Sequence, residues 1–136
     1  MFERQIRLGL LWLVIVVGMG LHAAYALSAI RYGASVAVAD PTGAVPWSNT
    51  WLKTIFYVVP MLVAVGCIVY RGRKWRRFNF VLAAFFLFSN VSHVASQGFR
   101  EIAPLPVAQT IPLVAMVVIN VPLLTLSWRH MKASEA

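Results

Sequence analysis

Four stretches of this chain are long enough and apolar enough to cross a lipid bilayer, and they constrain the fold more than any motif in it. A spanning helix needs about 20 mostly apolar residues to traverse about 30 Å of hydrocarbon. The stretches run over about 8–30, 51–70, 78–97 and 105–128. Lipid offers no hydrogen-bond partner to an open backbone, so a lone strand is excluded and each stretch is expected to be helical. The expected fold is all-α: one integral membrane bundle of four transmembrane helices over 1–136, joined by short connections in up-down-up-down order.

Composition supports the same reading. The 136 residues are 60% hydrophobic and 12% charged, against about 45–50% and about 25% in soluble domains. This excludes a soluble globular domain and a disordered tail. The formal net charge of +8 sits in short clusters between the apolar runs. It reads as a topology signal rather than a phosphate-binding face, so no nucleic-acid partner is expected. Cys67 is the single cysteine, so there is neither an intramolecular disulfide nor a CxxC motif.

Lys and Arg distribute unevenly about the four spans. Arg4, Arg7, Arg71, Arg73, Lys74, Arg76, Arg77, Arg129 and Lys132 fall on one side, and only Arg31, Lys53 and Arg100 on the other. The positive-inside rule then puts both termini and the 71–77 connection in the cytoplasm. A bacterial inner membrane suits this bias. The first span begins like a signal peptide, with Arg4 and Arg7, then Leu8–Leu21, then Ala24-Tyr25-Ala26. Its apolar run continues to Arg31, long enough to span, so a retained helix is expected.

In the first connection, Asp40-Pro41-Thr42-Gly43 signals a turn, and Ser48 or Asn49 is placed to cap the second helix. Trp47 and Trp51 suit an outer aromatic belt, and Trp12, Trp75 and Trp128 an inner one. Pro60, Pro112 and Pro122 lie inside spans, where each removes a backbone donor.

The third span carries the densest polar pattern. At 100° per residue Ser89, Ser92, His93, Ser96 and Arg100 share one stripe, with Asn79, Asn90 and Gln97 at its margin. Such a stripe is expected to face the bundle interior or a water-filled cleft. In the first span Gly20, Ala24 and Ser28 form a small-xxx-small face suited to close helix approach, and Gly18, His22, Tyr25 and Ala29 lie roughly opposite. Such a helix belongs at the centre of the bundle or at an oligomer interface. Asn120 in the fourth span is expected to seek a partner on another helix, and His130 to be solvated in the carboxyl tail.

His22 lies 15 residues from Arg7, and His93 lies 16 from Arg77. A helical rise of about 1.5 Å per residue places them about 22 and 24 Å from the cytoplasmic end. Two imidazoles at one depth suit ligation of a haem b iron or a transition metal. The acidic residues Glu3, Asp40, Glu101 and Glu135 all lie away from mid-membrane. No catalytic residue is assigned and an enzyme is not favoured. Arg100 and Glu101 are expected to pair locally. Arg71, Arg73, Lys74, Arg76 and Arg77 form a basic hairpin that fixes topology and contacts anionic headgroups.

Three functions are compatible with these residues. The leading one is a non-catalytic accessory or interaction subunit that packs against a second copy or a membrane partner. The next is an electron-transfer protein holding haem b or a metal through His22 and His93. The third is a small oligomeric transporter along the Ser89–Arg100 stripe.

Overall fold

The computed structural model describes residues 2–33, 47–98 and 104–133. Every element among them is helical. Helix α1 covers Phe2–Ser28 and closes with a 3-10 turn, Ala29–Tyr32. That turn ends at Gly33, whose φ of +77° a Cβ would disfavour. The second span is α2 (Trp47–Lys53), a π-helical turn (Thr54–Val58) and α3 (Val59–Val69) in one run. Helix α4 covers Arg73–Gly98 and α5 covers Pro104–Lys132. Four helices are thus long and apolar enough to cross a membrane.

Each spanning helix starts before its apolar stretch, and α4 and α5 also end after theirs. α1 takes in Glu3, Arg4, Gln5 and Arg7, with an Arg7–Glu3 ion pair one turn apart. α4 begins inside the basic hairpin at Arg73, and α5 runs through Arg129 to Lys132. Basic side chains at the ends of spanning helices extend their polar tips past the hydrocarbon, so the helix need not stop where the apolar run does. Ser48 and Asn49 are not caps: α2 already begins at Trp47, which places both inside its first turn. The Asp40–Gly43 turn, Arg100 and Glu101 lie outside the described residues, as does the side chain of Gln97.

The π-helical turn has a local cause. Pro60 lacks an amide donor and its ring crowds the carbonyl four residues earlier. The register loosens just before it, where the Val59 N–H bonds Thr54 O. Pro112 and Pro122 are accommodated within a continuous α5.

Packing follows one seam per helix. Leu8, Trp12, Ile15 and Met19 are buried along α1; Val63, Ala64 and Cys67 along α3; Asn79, Ala83, Phe86 and Asn90 along α4. Leu113, Met116, Asn120, Leu123, Ser127 and His130 do the same along α5. The alternating three- and four-residue spacing is that of left-handed bundles, in which about 3.5 residues per turn keep one seam facing its neighbours. α1 packs closely against α3 and α5, and α5 against α4. Phe56 of the π-helical turn reaches Phe85 and Phe86 of α4, with ring centroids 6.3 and 5.3 Å away. Large apolar side chains cover the outside, among them Leu10, Val17, Leu62, Val65, Phe88 and Val118.

Trp12 is not an interfacial belt residue. It is fully buried, its ring edge-on to Phe86 at 5.2 Å. Its Nε1 donates to Asn79 Oδ1 at 2.8 Å, and Asn79 Nδ2 donates to Cys67 Sγ at 3.0 Å. Trp47 and Trp51 are exposed, while Trp128 is partly exposed beneath the Lys132 ammonium. Asn120 turns to its own helix, donating from Nδ2 to Met116 O at 2.8 Å, rather than across to another.

Large side chains press against the backbone at particular glycines. A Cβ at Gly66 would collide with the Trp75 ring, and one at Gly18 would meet Met116. Among the described residues no atom lies within 4 Å of a Cβ built at Gly20. Gly66→Ala is therefore expected to destabilise the bundle by about 1–3 kcal/mol through overpacking, whereas Gly20→Ala leaves the isolated bundle at its parent stability. Reversible unfolding in mixed micelles with rising SDS measures both; equal stabilities would contradict the packing at Gly66.

Candidate functional site

The seams of α1 and α4 continue into the two histidines. His22 follows Met19 by three residues on α1, and His93 follows Asn90 by three on α4. One helical turn puts each pair on a common face. The two imidazoles meet with centroids 5.3 Å apart and planes at 84°. They share a cleft of about 380 Å³ with Met19, Leu27, Asn49, Lys53, Phe56 and Tyr57. Tyr57 Oη donates to Met19 O at 3.2 Å, which ties the second span to this level of α1.

The ring spacing restricts what the pair can hold. Metal–nitrogen bonds of about 2.0 Å place two imidazole centroids about 5–5.5 Å apart when the bonds diverge at a trigonal or tetrahedral angle, and about 6 Å apart when they are trans. The observed spacing falls in the first range, and with near-perpendicular planes it is also that of an edge-to-face ring contact. Trans ligation through a porphyrin would need the rings to part by about 1 Å. Among the described residues no third His, Cys, Asp or Glu joins the pair. Met19 is buried and lines the cleft with the two histidines, as does Lys53, and no carboxylate joins them. Imidazole and thioether are neutral donors of the kind that suit a soft monovalent ion.

Met19 was not singled out from sequence, because a methionine in an apolar helix reads as packing. The available signal was its place three residues before His22 in the α1 seam.

The serine stripe of α4 does not hold together. Asn79 and Asn90 are buried and His93 is half-buried, but Ser92 and Ser96 are exposed. Ser96 Oγ satisfies itself on His93 O at 2.8 Å. The inward face passes through Asn79, Ala83, Phe86, Asn90 and His93, so residues placed at the stripe's margin are its centre. Ser89 is half-buried at the edge of that face. Of the stripe's described members, Ser92 and Ser96 lie on the outside of the bundle and Ser89 and His93 are half-buried.

The faces of α1 also separate. Gly18 packs against Met116 and His22 against His93, while Tyr25 is exposed. Gly20 and Ala24 are exposed and Ser28 is half-buried, its Oγ donating to Tyr25 O. The small-residue face therefore lies outside the four-helix packing rather than within it.

At the other end of the bundle the amino-terminal turn, the 71–77 connection and the end of α5 converge. Arg4 Nη1 donates to Arg129 O at 3.4 Å, and Gln5 Nε2 to Tyr70 O at 3.3 Å. Arg76 places Nε and Nη2 on Arg71 O at 3.2 and 3.1 Å. His130 is buried rather than solvated, because α5 continues past it and its seam brings it under Arg4 and Arg76.

Comparison with known proteins finds no matching family model, no matching curated protein and no matching solved structure.

Proposed function

We propose that this chain is a multi-pass protein of a bacterial inner membrane, with both termini cytoplasmic, acting as a non-catalytic interaction subunit. The observation that carries this reading is the Gly20–Ala24–Ser28 face of α1. It is small and regular, and among the described residues Gly20 and Ala24 are exposed and Ser28 half-buried. In lipid, where no hydrophobic effect drives helices together, small residues at four-residue spacing let two backbones approach and gain packing contacts. A second copy of the chain or another membrane helix is the matching occupant. The apolar side chains around the rest of the bundle are suited to lipid contact. The cytoplasmic assignment rests on the clustering of Lys and Arg at one end.

The test is association. Light scattering of the detergent-purified protein is expected to show a dimer or larger species, or co-purification of one stoichiometric membrane partner. Gly20→Ile and Ala24→Ile are each expected to dissociate it while leaving the single-chain fold intact. A parent protein that is monomeric and partnerless, or variants that associate as the parent does, would overturn the reading. Fusion of a fluorescent protein at the carboxyl end is expected to report a cytoplasmic location.

A second reading is supported by the His22–His93 contact at 5.3 Å. On it, His22, His93 and Met19 hold one transition-metal ion, with Cu(I) the best match to the donor set. Haem b remains the alternative ligand of the pair. Anaerobic titration with Cu(I) against a chromophoric chelator is expected to give one ion per chain. His22→Ala and His93→Ala should abolish it. Met19→Leu should weaken it at least about tenfold, the order found even for residues that only orient a ligand. A Soret band in the purified parent, lost on changing either histidine, would show haem instead. A preparation that binds neither would remove the second reading.

A further inference from the structure

The cytoplasm-assigned end of the bundle holds a second cleft, distinct from the histidine site. It encloses about 420 Å³ and is lined by Glu3, Arg4, Arg7, Arg76, Arg129 and His130, with Leu126 and Ala133 at its edge. Four arginines from three separate parts of the chain therefore line one space. The single carboxylate in the lining, Glu3, is already engaged by Arg7. Arg76 Nη1 is shielded from solvent with no acceptor among the described residues, although its other two nitrogens are bonded. Like charges gathered over a partly desolvated space repel, and a buried guanidinium nitrogen without an acceptor is costly. The repulsion is relieved by an anion with several acceptor oxygens, and arginine forks match the geometry of phosphate.

We propose that this cleft binds a phosphate group, held by Arg4, Arg76 and Arg129. Its place at the end of a membrane-sized bundle, beside the basic connection, makes an anionic phospholipid headgroup the expected source. A soluble phosphate is the other. The site differs from generic attraction of the hairpin to a charged surface. Of Arg71, Arg73, Lys74, Arg76 and Arg77, only Arg76 lines the cleft, and the other two ligands come from the two ends of the chain. The lipid form of the inference rests on the membrane reading. The two fail separately, because membrane residence is scored by resistance to carbonate extraction.

The experiment uses the full chain in zwitterionic detergent and follows its thermal unfolding and native mass spectrum. Phosphatidylglycerol, phosphatidylcholine and inorganic phosphate are added in separate arms. Phosphatidylglycerol is expected to raise Tm and remain bound in the mass spectrum, and phosphatidylcholine to do neither. Arg76→Gln and Arg129→Gln should each weaken phosphatidylglycerol binding at least about fivefold, the factor corresponding to about 1 kcal/mol per basic residue. Arg73→Gln, outside the cleft but in the same basic hairpin, should weaken it less than Arg76→Gln does. A rise with phosphatidylglycerol alone assigns the group to lipid, and an equal rise with inorganic phosphate shows that the phosphate suffices. No stabilisation of the parent by either, or equal loss in Arg73→Gln and Arg76→Gln, would overturn the site.

Discussion

The hydrogen-bonded chain from Trp12 through Asn79 to Cys67 is the contact on which the arrangement of this bundle depends. Apolar packing alone tells a helix in lipid little about which face to turn inward, since lipid tails are as apolar as its neighbours. A buried indole N–H and a buried carboxamide have a strong preference, because each is costly without a partner. Trp12 on α1, Asn79 on α4 and Cys67 on α3 satisfy one another at 2.8 and 3.0 Å. That fixes the rotation of three helices at once. The seams that follow then place Met19 and His22, about two to three turns along α1, opposite His93, about four turns along α4.

The same rotation turns Gly20 and Ala24 outward. The basic end needs α5 as well: the buried seam of α5 carries His130 to the amino-terminal turn, where arginines from α1, α4 and α5 converge. The histidine cleft and the small-residue face thus follow from the register of α1 and α4, and the basic cleft from the seam of α5 packed against them.

Much of the fold was legible in the sequence because the solvent sets it: apolar length gives the four helices, and the depth count from Arg7 and Arg77 puts His22 and His93 at one level. What was misread was rotation. Polarity alone drew the inward face of α4 through Ser89, Ser92 and Ser96, yet a serine hydroxyl in a helix can bond its own backbone, as Ser96 does, and so has little need of the interior. An asparagine carries both donors and acceptors and demands more, which makes Asn79 and Asn90 the better guides. Trp12 read as an interfacial residue because tryptophan is common there; its partner lies 67 positions away on another helix, beyond any local pattern. Met19 was hidden because its thioether is indistinguishable from packing until His93 is brought beside it.

A double-variant cycle on Trp12 and Asn79 tests the central contact most directly. Trp12→Phe, Asn79→Leu and the pair together are compared by reversible unfolding in mixed micelles. The double variant should lose less stability than the two single changes summed, by about 0.6–1.7 kcal/mol, the range measured for hydrogen bonds between membrane helices. Strict additivity would show that these side chains do not act on each other, and the rotation of α1 against α4 that brings His22 to His93 would lose its cause.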